Sequence, residues 1–125
     1  MRLLLSLILT TIFSLSAFAS HIAGGSITWE KVPNNQWVFT LEIIRDCAGA
    51  SIPTSSQAIS GPNGNILLNY VQALSGFINL DNCNTFSCVN GSGYERGVYR
   101  SSPITLSGSI PSTGWEFSWS TCCFV

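Results

Sequence analysis

The stretch Trp37-Val38-Phe39-Thr40-Leu41-Glu42-Ile43-Ile44-Arg45 decides the fold. Trp37, Phe39, Leu41 and Ile43 fall on one side of an extended chain, and Val38, Thr40, Glu42 and Ile44 on the other. A period of two with one apolar face marks a half-buried strand. Upstream, Ser26 to Lys31 alternates in the same way, with Ile27 and Trp29 on one face and Ser26, Thr28 and Glu30 on the other. Between them lies Val32-Pro33-Asn34-Asn35-Gln36, whose Pro and Asn suit turn dihedrals. The two segments are expected to pair as an antiparallel hairpin.

The pattern continues towards the C-terminus. Asp46 to Ser60 is small and polar, with Gly49 and Pro53, and reads as a long loop or a ragged edge. Gly61-Pro62-Asn63-Gly64 is a turn signal. Strands are expected at Ile66–Val71 and, with a weaker pattern, at Ser75–Leu80. Asp81 to Ser92 is a loop rich in Cys and Asn. Gly97–Ser101 and Ile104–Leu106 are strand pieces separated by Pro103, which suits an edge or a bulge. Trp115 to Cys123 alternates again, with Trp115, Phe117 and Trp119 facing inward. Trp37, Phe39, Leu41, Trp115, Phe117 and Trp119 are therefore the expected core. No segment after residue 20 has a helical period, and no internal repeat is present. Short strands with regular turn signals point to an all-β fold, a small antiparallel β-sandwich of the immunoglobulin-like kind.

The N-terminus has the composition of a secretory signal peptide. Met1-Arg2 is a short positive segment, Leu3 to Phe13 is almost continuously apolar, and Ala17-Phe18-Ala19 is a small-x-small cleavage signature. Residues 1–19 are assigned to the signal and 20–125 to a single β domain. The apolar run is short for a membrane span, and no second run could cross a bilayer. The remaining chain carries four Lys/Arg and six Asp/Glu, because Arg2 of the five basic residues lies in the signal. Such a chain has no basic stripe for a phosphate backbone, which excludes nucleic acid as an expected partner.

Export makes disulfides the expected state of the cysteines Cys47, Cys83, Cys88, Cys122 and Cys123. Five is odd, so one is left over within the chain. Two bonds and one unpaired thiol can be arranged in 15 ways, five choices of the odd one times three pairings, and spacing leaves that choice open. Cys122 and Cys123 point to opposite faces if their strand is regular, so they should have different partners. Cys47 and Cys123 both have core parity, which favours a Cys47–Cys123 bridge. A local Cys83–Cys88 closure is a second candidate. The spacing, C-x4-C at Cys83 and Cys88 plus the vicinal pair Cys122-Cys123 with one distant His, is not the C-x-x-C pattern of a zinc site, and no metal or other cofactor is expected.

Nothing in the chain forms a catalytic constellation. The lone histidine, His21, lies almost at the mature N-terminus, where a side chain is seldom held beside a nucleophile. Glu30, Glu42 and Glu116 lie on polar strand faces; Asp46, Asp81 and Glu95 complete the acidic residues. Gly24-Gly25 and Gly91-Ser92-Gly93 precede no helix that could bind phosphate. Asn90-Gly91-Ser92 matches an N-glycan acceptor pattern. No catalytic or cofactor-binding residue is assigned.

Three stretches carry a family resemblance: Ser20-His21-Ile22-Ala23-Gly24-Gly25-Ser26-Ile27-Thr28-Trp29, then Leu41-Glu42-Ile43-Ile44-Arg45-Asp46-Cys47, then Gly97-Val98-Tyr99 leading to Trp119-Ser120-Thr121-Cys122-Cys123. Together they resemble the N-terminal domain of large secreted surface proteins of gliding Bacteroidetes, which end in a gliding-motility-associated C-terminal sorting domain. Thr121 and Phe124 stand where that family usually carries Arg. The resemblance implies a non-catalytic structural or adhesion-type module, exported to the cell surface or the medium, with a protein or glycan surface partner. It also implies a longer polypeptide, which would leave the present sandwich incomplete at its C-terminus and supply a partner for the odd cysteine. The alternative is a stand-alone small secreted binding protein or inhibitor, a stable monomer or a dimer linked through the odd cysteine.

Overall fold

The computed structural model describes residues 22–78, 88 and 93–121. They form an all-β structure built on one antiparallel sheet. The strands are β1 (Ile22–Val32), β2 (Gln36–Asp46), β3 (Gln57–Gly61), β4 (Gly64–Tyr70), β5 (Gly76–Ile78) and β6 (Tyr94–Ser101). The order across the sheet is β1-β2-β6-β4-β3. β5 pairs with β6 through Gly76 and Arg96, on the stretch of β6 that precedes its pairing with β4.

The expected β1–β2 hairpin is present, in register from Val32 opposite Gln36 to Ile22 opposite Arg45, with an irregularity between Ile22 and Gly24. Its turn is a short 3-10 segment, Pro33–Asn35, in which Asn34 and Asn35 have φ of 64° and 56°. Asparagine tolerates this left-handed region better than most residues. β3 and β4 form a second hairpin closed by Pro62 and Asn63, with Gly61 opposite Gly64. Gly64 has φ of 103°, a conformation that requires its missing Cβ.

The sheet curls around one core. Phe39, Leu41 and Ile43 of β2 meet Ile59 of β3, Ile66 and Leu68 of β4, and Tyr99 of β6, with Ile52 entering from the β2–β3 connection. Ile27, Trp37, Tyr70, Ile104, Leu106, Phe117 and Trp119 form the rim of this cluster. The chain after β6 completes the enclosure. Ile104 exchanges backbone hydrogen bonds of 2.8 and 2.9 Å with Trp37, and Ser118 exchanges bonds of 2.8 and 3.0 Å with Ser60 of β3. Between those anchors, the Phe117 ring packs 4.6 Å from that of Phe39 and 6.2 Å from that of Trp29. Residues 115–119 thus close the core between the β3 edge and the β1–β2 hairpin.

Several expectations require correction. Gln57–Gly61 is a strand, although its only large apolar residue is Ile59, which is fully buried. Around Ile104, and over Trp115–Thr121, the described chain makes single bridges at Ile104 and Ser118 in place of strands. Trp37, Trp115, Phe117 and Trp119 are half-buried, and the centre of the core is aliphatic, with Phe39 and Tyr99 as its aromatic members. Trp29 shares the parity of Ile27 but is 58% exposed, because β1 is an edge strand paired by β2, and its ring packs 6.2 Å from that of Phe117. His21, Cys83, Cys122, Cys123, Asp81, the Asn90 acceptor pattern and the signal segment all lie outside the described residues.

Candidate functional site at the Cys47–Cys88 corner

Several ties among the described residues converge where β2 ends beside the start of β6. Asp46 stands opposite Tyr94, and the antiparallel pairing brings the chain preceding β6 alongside the residues that follow β2. The Cys47 N–H donates to the Gly93 carbonyl at 2.9 Å. Cys47 is bonded to Cys88, with a Cα separation of 5.1 Å across 41 positions of sequence. The disulfide is therefore made, but with a different partner from the expected Cys123, and the Cys83–Cys88 closure is excluded. The expectation rested on face parity; what decides the pairing is the β2–β6 neighbourhood, which parity does not encode.

Arg45 organises this corner. Its position on the core side of β2 buries it to 8% exposure. A buried guanidinium must find an acceptor for each donor or its desolvation is uncompensated. Nε donates to Glu95 Oε2 at 2.7 Å. Nη1 lies 2.9 Å from the Gly49 carbonyl, with longer contacts to those of Asp46 and Cys47. Nη2 lies 2.5 Å from Glu95 Oε2 and 3.6 Å from Cys88 Sγ. One side chain therefore joins the end of β2, the turn after it, the start of β6 and the disulfide. Asp46 supports that turn, accepting the Ala48 N–H on Oδ1 at 2.9 Å and the Gly49 N–H on its carbonyl at 3.0 Å.

A second clamp lies further along the same connection. The Tyr99 hydroxyl donates to the Pro53 carbonyl at 2.6 Å. Burial, with smaller contributions from Tyr70 and Glu95, pushes the Tyr99 phenol up to about 12 from an ordinary value of 10.0. Beside it, Ile52 fills the space over Gly97, where a Cβ would lie 2.5 Å from Ile52 Cγ2. Arg45 and Tyr99 both stand in stretches that carry the resemblance, but the resemblance gives neither a role. The available signal for Arg45 was its parity, since an arginine on an otherwise apolar strand face needs an internal partner. For Tyr99 the Gly97-Val98-Tyr99 stretch marks the position but not the Pro53 carbonyl it bonds.

The remaining acidic candidates are not gathered together. Glu30 pairs with Arg100, and Glu42 lies 3.8 Å from Arg96, both on the solvated side of the sheet. Glu116 is exposed. Among the described residues, no group of three or more His, Cys, Asp or Glu side chains could hold a metal ion. No helix there is long and apolar enough to cross a membrane, and every buried polar side-chain atom has a hydrogen-bond partner. The chemistry the corner can support is thiol–disulfide exchange; otherwise it is a mechanical joint.

No family model matches the sequence, and no curated protein or solved structure shows a significant match to it.

Proposed function

We propose that this chain is a non-catalytic structural or adhesion-type module of an exported protein, held at the cell surface or released from it. The observation that carries this reading is the Cys47–Cys88 bridge, built into the joint between β2 and β6. Structural disulfides of this kind persist in oxidising compartments outside the cytoplasm. The leader-like composition of residues 1–19 and the resemblance to gliding-bacterial surface proteins support the same location. A joint pinned by a disulfide, a buried arginine and a buried tyrosine suits a domain that must keep its shape outside the cell. Its exposed faces would then be available to a protein or glycan partner.

The test is a blot of producing cells and their medium with an antibody against residues 26–121, with intact cells treated or not with protease. The expected result is a species on the outer surface or in the medium, cleaved on intact cells. A mass far above 13.5 kDa that survives reductant would support membership of a large surface protein. A single band slightly below that mass would favour the stand-alone binding protein instead. Protein found only inside cells, protected from protease, would contradict export in either form.

A further inference from the structure

The placement of Arg45 against a sulfur is not needed for a purely mechanical joint. Glu95 and the carbonyls of Asp46, Cys47 and Gly49 already fix the guanidinium, so its position does not depend on Cys88. From that position Nη2 reaches Cys88 Sγ at 3.6 Å. The two cysteines also differ in access, Cys47 being buried at 8% exposure and Cys88 partly exposed. A partly exposed sulfur facing a cationic donor is the setting in which a thiol loses its proton readily and becomes the reactive thiolate.

We propose that Arg45 is a positioning residue for oxidative folding: in the reduced chain it holds Cys88 as the thiolate that accepts a mixed disulfide, and Cys47 resolves that adduct. The co-reactant is an external disulfide, R–S–S–R, whether a small disulfide or that of a thiol oxidase. The Cys88 thiolate attacks one of its sulfurs; a Cys88–S–S–R bond forms and one R–S⁻ leaves. Cys47 gives its proton to solvent, and its thiolate attacks Cys88 Sγ. The Cys47–Cys88 bond forms as the second R–S⁻ leaves. Two protein thiols are oxidised and one external disulfide is reduced to two thiols.

The device would select one pair among five cysteines. Among the described residues, the charged groups at the corner are Arg45 and Asp46 from β2 and Glu95 from β6. Asp46 directs a carboxylate oxygen to the Ala48 N–H, whereas Glu95 shares the guanidinium with Cys88 and so opposes its effect.

The test measures alkylation of Cys88 against pH by peptide mass spectrometry, in the fully reduced signal-free chain and its variants. Oxidised glutathione is the second probe, used on a Cys47→Ser chain in which the mixed disulfide cannot be resolved. The wild-type Cys88 midpoint should fall below the ordinary thiol value of about 8.5. Arg45→Gln should raise that midpoint by about one pH unit and slow glutathione addition about threefold at neutral pH, the loss of thiolate being partly offset by the greater nucleophilicity of the more basic sulfur. Glu95→Gln should lower it. Near-ultraviolet circular dichroism establishes which variants are folded. If Arg45→Gln does not fold, Glu95→Gln decides the matter. Identical Cys88 profiles in every folded chain, or first glutathione addition at another cysteine, would overturn the proposal.

Discussion

The Tyr99 hydroxyl donates a 2.6 Å hydrogen bond to the carbonyl oxygen of Pro53, tying the centre of β6 to a connection 46 positions earlier in the chain. The phenol is held protonated in the folded state, while an unfolded chain would titrate near the ordinary value. Its raised pKa of about 12 therefore adds stability that is complete below about pH 10 and declines as pH rises towards 12. The wild-type chain should lose more stability between pH 9 and pH 11 than Tyr99→Phe, compared by urea midpoints. Near pH 7 the same substitution should cost about 1–3 kcal/mol, because it leaves the Pro53 carbonyl without its donor.

Packing at Gly97 gives a sharper contrast. Adding a methyl group there would bring it within 2.5 Å of Ile52 and 3.3 Å of the Tyr99 ring, whereas a Cβ at Gly24 would meet nothing within 4 Å. Gly97→Ala should destabilise by about 1–3 kcal/mol through overpacking. Gly24→Ala should stay within about 0.5 kcal/mol of wild type, as surface substitutions usually do. Thermal or chemical unfolding of the two variants checks the pair.

The core can be ranked in the same way. Phe39 is 1% exposed at the centre of the cluster, while Trp119 is half-buried on its rim. Phe39→Ala should cost about 3–5 kcal/mol. Trp119→Ala should cost about 1–2 kcal/mol, since a rim side chain removes less surface from water. Equal losses would mean that the last segment lies deeper than its exposure indicates.

The disulfide should contribute through the 41-position separation it spans. Constraining a loop of that size in the unfolded chain stabilises the folded one by about 4 kcal/mol on the chain-entropy model. Dithiothreitol, or a Cys47→Ser substitution, should lower unfolding stability by about 2–4 kcal/mol, the usual range for such a bond. A change below about 1 kcal/mol would mean that Arg45 and Tyr99 hold the corner without it.

Particular residues show what the sequence could reveal. The β1–β2 hairpin was legible because four apolar side chains alternate through Trp37, Phe39, Leu41 and Ile43, with a Pro-Asn-Asn turn before them. β3 was hidden because Gln57, Ala58, Ser60 and Gly61 surround a single buried Ile59. Alternation at Trp115, Phe117 and Trp119 reports which side chains lean towards the core. It does not report whether a backbone ladder exists, and Ser118 makes the one bridge in that segment. The corner was less legible still. Its parts come from residues far apart in sequence, and only the β2–β6 pairing places Cys88 beside Cys47 and Glu95 beside Arg45.

The most direct measurement is a non-reducing peptide map of the native protein, taken from producing cells with free thiols alkylated at lysis. An exported module locked at the β2–β6 joint predicts a linked pair of peptides containing Cys47 and Cys88, with neither cysteine carrying the alkylating label. Cys47 and Cys88 recovered fully alkylated, or Cys47 linked to Cys123, would contradict it.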